Sequence, residues 1–239
     1  MRMMRTGIIT IIDASSRVQL EAVLRLCHLV SPALPIGAYA YSAGLEHAVQ
    51  AGWVRDEAGT LDWLRGLSRY SVATLDLPLL LRLHRAWSGN DADAAQRWNA
   101  QLYASRETAE LRAEDLHLGR SLAKVLAELG IAAALPWQKA DTTMASMFAL
   151  AAVRWGIAGT EAAGGYLWAW SENQALAAVK LVPLGQSAGQ RLLHALLADM
   201  PGLVELAASI GDEDICSSAL SQVIGSALHE TQYSRLFRS

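Results

Sequence analysis

Apolar residues along the chain recur at intervals of three and four, the spacing that places side chains on one face of a helix. Between positions 19 and 30, Leu20, Val23, Leu24 and Cys27 keep this spacing, which predicts a helix with these residues on its buried face. Ser31-Pro32 ends it, because a proline disfavours helical geometry in the residue before it. The next stretch, SPALPIGAYAYSAGLEHAVQAGWV, crowds prolines, glycines and tyrosines around one short element. It predicts a helix within 37–50 that stops at Gly52. Further helical patterns run over 57–87 with Pro78 inside, 91–113, 114–129 up to Gly130, 139–155, 160–178, 188–198 and 214–228. SGNDAD, residues 88–93, reads as a turn with an Asp N-cap for the helix that runs from Asp91. Strand-like alternation is confined to GIITII near the start and VKLVPL at 179–184.

The pattern predicts an all-α protein: one compact bundle of roughly ten helices. It divides into an N-terminal extension (1–18), the helical domain (19–228) and a C-terminal tail (229–239). No repeat of 20 to 50 residues interrupts it. The tail, HETQYSRLFRS, is unusual for a terminus, since it sets Tyr233, Leu236 and Phe237 between Arg235 and Arg238. Termini are ordinarily polar and frayed, so this one is expected to order against something.

Composition narrows the function. Hydrophobic residues make up 52% of the 239 and charged residues 18%, with mean hydropathy +0.20. That balance implies helices buried on more than one face, or a surface kept for a partner. A net charge of −3 gives no electrostatic basis for nucleic-acid binding. Two cysteines, Cys27 and Cys216, are too few for a disulfide scaffold and lack zinc spacing, which fits a cytoplasmic protein. The basic, apolar start is shorter than a signal-peptide core of about 7–15 residues. Arg154 and Glu161 interrupt the most apolar later stretch, so no membrane span is expected.

Candidate chemistry is sparse. The three lysines, in AKV, QKA and VKL, do not form a phosphate-binding loop, so nucleotide chemistry would have to come from another protein. The histidines lack metal-ligand spacing and read as ordinary packing or surface residues. GQSAG at 185–189 fits the serine nucleophile motif, with Asp212 or Asp214 and then His229 following in order. A hydrolase at Ser187 is therefore the alternative function. Pro183 and the missing series of β-α units argue against it. In RETAELRAEDLHLGR, Glu107, Glu110, Glu114 and Asp115 alternate with Arg106, Arg112 and Arg120, which reads as a solvated helix face. The eight tryptophans are expected mostly in the core.

Taken together, LPIGAYAYSAGLEHAVQAGWV, DLPLLLRLHRAW, RETAELRAED, VKLVPLGQ and the tail resemble the urease accessory protein family UreF, in order from about residue 19 to the C terminus. Ala38 and Ala40 depart from the family pattern, with Ala40 standing where a hydroxyl residue is common. The resemblance implies an all-α, typically dimeric protein that is not itself an enzyme. It would bind the scaffold protein UreD (also called UreH), recruit the GTPase UreG and act on apo-urease subunits. Nickel and GTP would be handled by the partners, with no cofactor or metal of its own. Carried over by motif, Tyr39, with Tyr41 and Ser42 beside it, faces the dimer and GTPase surface, and Lys180 the GTPase side. For Tyr39, Tyr41 and Glu46, an equal reading is that they fix the turn into the second helix. In the tail, Glu230, Gln232, Tyr233, Arg235, Leu236 and Phe237 are the scaffold-binding residues. Arg235 would find a carboxylate or backbone carbonyls in the assembly, and Tyr233, Leu236 and Phe237 would lose their water there.

Overall fold

The computed structural model describes residues 14–238; GIITII lies outside the described residues. Among those residues there are ten α-helices and no strand. They are α1 (Ala14–Leu29), α2 (Leu45–Gln50), α3 (Glu57–Leu67), α4 (Leu77–Ser88), α5 (Ala92–Ala104), α6 (Ala109–Glu128), α7 (Met144–Arg154), α8 (Gly159–Leu181), α9 (Gln186–Ser209) and α10 (Leu220–His229). Side-chain caps start three of them. Asp56, Asp91 and Thr108 accept the backbone N–H of Gly59 (2.8 Å), Ala94 (2.9 Å) and Leu111 (3.1 Å), each satisfying a donor with no partner inside the helix.

The helical pattern over 57–87 is one continuous run, but its middle, Ser68–Asp76, is wound as a π-helix. Pro78 has no N–H to offer the Thr74 carbonyl, the regular α-helical partner four residues back. That carbonyl accepts Cys216 N at 3.2 Å, and the Tyr70 carbonyl accepts Ser218 N at 2.8 Å. The segment before α10 is thus bonded along the π-helix, and α10 begins at Leu220 rather than at 214.

The core centres on α4 and α7. Leu77, Leu79, Leu80 and Leu83 of α4 are fully buried, as is every residue of α7 from Ala145 to Ala152. A smaller apolar cluster joins Leu45, Ala48 and Val54 to Ala177 and Ala178 of α8, to Val182 just after it and to Phe237 of the tail. Trp87 and Trp137 are buried edge to face, 5.6 Å apart.

Several boundaries differ from the sequence reading. The break expected at 113/114 falls at 105–108, where Thr108 caps α6. VKLVPL is the end of α8 and a turn. Helix α9 continues past 198 through Pro201 because Met200, Leu203 and Ala207 are buried beyond it. By length and hydropathy α9 could cross a membrane, yet two of its charged residues pair with α3: Arg191 with Glu57 (2.6 Å) and Asp199 with Arg65 (2.8 Å). The buried face predicted for α1 is the exposed one, with Leu20 and Val23 both 49% and Leu24 59% exposed. Helix α1 packs instead through Ala22, Leu26 and Leu29, where the missing side chain of Gly165 makes room for Leu26.

Candidate partner-binding site

The tail is seated on the chain's own body, and the seat is built around two carboxylates. Gly44 enters α2 with φ +88°, and a Cβ on it would lie 3.1 Å from Gln222 O and Ser226 N of α10. Only glycine permits both the left-handed geometry and this approach. The contact brings Glu46, in the first turn of α2, against His229 at the end of α10. Glu46 Oε1 accepts Leu236 N at 2.7 Å, and its Oε2 accepts Phe237 N at 2.8 Å and faces His229 Nε2 at 3.2 Å. On the other side of the imidazole, His229 Nδ1 meets Glu110 Oε2 at 2.8 Å, while Glu110 Oε1 accepts from Arg235 at 3.1 Å. His229 is fully buried and Glu46 is 7% exposed.

Around this centre the tail is pinned at further points. Phe237 fills the small apolar cluster, and Lys180 Nζ lies 5.6 Å from the centre of its ring. Burying such a ring contributes about 1.5–3 kcal/mol. Arg238 N donates to the Ala40 carbonyl at 2.8 Å. Glu230 accepts Ala109 N at 3.2 Å, where a carboxylate also meets the positive end of the α6 dipole. Gln232 donates to the Ser234 carbonyl at 2.8 Å.

The residues expected at the site therefore divide. Tyr39 (69%), Tyr233 (105%) and Leu236 (65%) are exposed, whereas Tyr41, Ser42, Glu46 and Phe237 face inward. Ser42 Oγ accepts Glu46 N at 3.3 Å. Burial raises the pKa of the Tyr41 hydroxyl; Arg238 opposes the shift and Glu114 adds to it. Tyr39 stands at an apolar cleft of about 120 Å³ walled by Leu34, Ile36, Tyr166 and Trp170. Burial also raises the Glu172 carboxyl beside it. The tail is expected from its sequence to order against both a scaffold partner and the chain's own helical body, and the body supplies acceptors for it. The carboxylate expected for Arg235 is Glu110 of the same chain, and Phe237 is desolvated without a second protein.

The charged segment 106–120 corrects the solvated-face reading. Arg106 is inside the protein, forked on Asp76 and bonded through Nε to Asp115 at 2.8 Å. Asp115 also accepts Met144 N at 2.7 Å, and Asp76 accepts from Tyr166 at 3.3 Å. Two buried carboxylates share one cation. Burial works against the Arg106 charge, but Asp76 and Asp115 outweigh it and raise its pKa further. For Asp115, burial outweighs Arg106 and Asp76 repels it, so its pKa is raised. The folded chain then holds this proton to higher pH than the unfolded chain, in which the aspartate pKa is about 3.9. Stability from this group is present below that value and is lost as pH rises through the raised folded value. Urea unfolding across this range is expected to show wild type losing stability relative to Asp115→Asn as pH rises. A constant difference would refute the assignment.

Ser187 lies exposed in the first turn of α9, with no strand among the described residues to form a nucleophile turn. The imidazole that would serve it, His229, has both nitrogens engaged by Glu46 and Glu110. Sequence reasoning missed Glu110 and the importance of His229, because no local spacing links residues 119 apart.

A sequence model of the UreF family matches residues 54–197. Over 218 residues the chain is 49% identical to the urease accessory protein UreF of Alkalilimnicola ehrlichii, covering 90% of this chain and 95% of that one. The chain belongs to the UreF family. It is also 49% identical to the urease accessory protein UreF of Azoarcus sp. over 223 residues, covering 90% and 95% of the two chains. With the UreF of Hahella chejuensis it shares 44% identity over 218 residues, covering 91% and 98%. The matched region of the family model holds the buried Asp76–Arg106–Asp115 group and Glu110. The seat of the tail adds Glu46 and His229 from either side of it.

Proposed function

We propose that this UreF-family chain is a non-catalytic, cytoplasmic maturation factor for urease. It binds a UreD/UreH-type scaffold and recruits a UreG-type GTPase to the apo-urease subunits, so that GTP-dependent nickel delivery is carried out by the assembly. The chain acts as a homodimer, with nickel as cargo and GTP held by the GTPase. Tyr39 and Lys180 lie toward the GTPase and the tail toward the scaffold.

One observation carries the scaffold assignment: the exposed apolar residues of α10 run on into the tail. Leu220, Ile224 and Leu228 are 67%, 41% and 46% exposed, and their four-residue spacing puts them on one stripe of the helix. Tyr233 and Leu236 follow along the chain with their side chains in solvent, while Glu46 holds the backbone N–H groups of Leu236 and Phe237. An exposed aromatic and a row of aliphatics on a fixed backbone are what an interface core uses.

Co-purification with the UreD-type and UreG-type proteins, scoring each separately, tests the reading. Truncation after Leu228 also removes His229 and leaves buried carboxylates unpaired, so the surface double variant Tyr233→Ser with Leu236→Ser is the cleaner probe. Scaffold capture is expected to fall roughly tenfold or more, the effect of losing one or two interface anchors, with helical content unchanged. Capture of neither partner by the intact chain would sink the reading.

A further inference from the structure

We propose that the apolar cleft between the end of α1 and α8 is a binding site for a small organic ammonium ion, with its apolar body inside and its charged head against Glu172. The inference goes beyond the urease reading above and does not depend on it.

Three stretches of chain build the cleft. The turn after α1 gives Leu34 and Ile36, α6 gives Leu118, and α8 gives Tyr166, Ala169 and Trp170. Leu34, Ile36, Leu118 and Tyr166 are buried and form the inner wall, whereas Tyr39 and Leu176 are exposed and stand at the rim. An apolar body placed inside is removed from water, which favours binding, while a head group at the rim keeps part of its hydration.

Charge selects the ligand. Among the described residues, the charged side chains lining the cleft are Glu114 and Glu172, and no lysine, arginine or histidine joins them. Glu114 already acts on the Tyr41 hydroxyl, which leaves Glu172 as the acceptor. Burial raises the Glu172 carboxyl with no neighbouring charge contributing. Its carboxylate has therefore lost water without gaining a cation among the described residues. A bound ammonium ion would compensate it, and the rings of Tyr39 and Trp170 in the same lining attract the same sign of charge. A smaller cavity of about 80 Å³ shares Glu114, Leu118, Met144, Tyr166 and Trp170 with the cleft and reaches Arg106. That guanidinium is taken up by Asp76 and Asp115, so it is not offered to an anionic ligand.

Nuclear magnetic resonance titration of the full chain, read at the Trp170 indole N–H and assigned with Trp170→Phe, tests the site. The probes are isopentylammonium, its neutral isostere isopentyl alcohol and the anion isocaproate. The ammonium ion is expected to bind roughly tenfold or more tightly than the alcohol, the scale of a charge-assisted hydrogen bond joined to a cation–π contact, and isocaproate more weakly than either. This comparison on wild type needs no variant to fold. Glu172→Gln keeps the size of a half-buried side chain and should bring the ammonium ion down to the affinity of the alcohol. Ala169→Phe, which fills the cleft, should abolish the response to both. Equal affinity for ammonium and alcohol overturns the charge selection. No Trp170 shift at ~50 mM ammonium, about the dissociation constant at the lower bound of ligand efficiency for a molecule of this size, overturns the site. Tighter binding of Nα-acetyl-lysine methylamide than of isopentylammonium overturns the free amine as ligand and gives the cleft to a lysine of another protein.

Discussion

Arg106→Met is expected to lower the stability of the folded chain by about 3–5 kcal/mol, the range for stranding buried charges by removing their partner. The substitution keeps an unbranched apolar stem but deletes the cation between Asp76 and Asp115, each only 4% exposed. Asp76 would retain Tyr166 and Asp115 would retain Met144 N, one hydrogen bond each against a full buried charge. For a chain of this size, about 2–4 °C in Tm accompanies each kcal/mol, so a thermal melt should shift by on the order of 10 °C. Adding Asp76→Asn and Asp115→Asn to the variant should recover much of the loss, because uncompensated charge rather than lost packing is responsible. Arg106→Lys should fall between, since an ammonium cannot fork across two carboxylates. A loss below about 1 kcal/mol in Arg106→Met, the scale of a surface pair, would mean that the group is solvated.

Gly119→Ala should be comparably damaging for a different reason. A Cβ at this position of α6 would stand 2.0 Å from the Thr142 carbonyl oxygen and 2.6 Å from the carbonyl carbons of Thr142 and Thr143. All three are backbone atoms, so no rotamer change can relieve the overlap. Helix α6 must move away from the segment entering α7, straining the Asp115–Met144 bond at 2.7 Å and the bond from Arg120 to the Ala140 carbonyl at 2.8 Å. Overpacking usually costs about 1–3 kcal/mol, and the expectation here is the top of that range or beyond. Gly164→Ala is the matched control. Its Cβ would meet nothing within 4 Å, and alanine in a helix interior is expected to stabilise by roughly 0.5–1 kcal/mol. Urea midpoints moving in opposite directions would support the contact geometry; equal shifts would refute it.

The sites of these two predictions were unequally visible in the sequence. Segment 106–120 displayed its charges plainly, and their spacing suited a solvated helix face. What escaped notice was Asp76, 30 residues earlier, which turns an arginine among acids into a buried three-way group. Gly119 carried no signal, since a glycine within a helical pattern does not reveal which backbone passes it. At α1 the spacing of Leu20, Val23, Leu24 and Cys27 identified a helix but misassigned its inward face. Periodicity reports that an apolar face exists, not what covers it.

What the sequence determined by itself is what acts within about four residues. The all-α class, the ending of α1 before Ser31-Pro32, the Asp91 cap, the stops at Gly52 and Gly130, and the uninterrupted run over 57–87 all follow from local spacing, capping and backbone freedom. The anomalous tail was also legible as one that had to be held. Only the tertiary structure decided by what. Glu46 and His229 are 183 residues apart and Glu46 and Phe237 are 191 apart. Their meeting depends on the approach of Gly44 to α10, which no pattern along the chain encodes. Burial then turned an ordinary glutamate, arginine and histidine into partners, because charges removed from water require compensation at atomic distances.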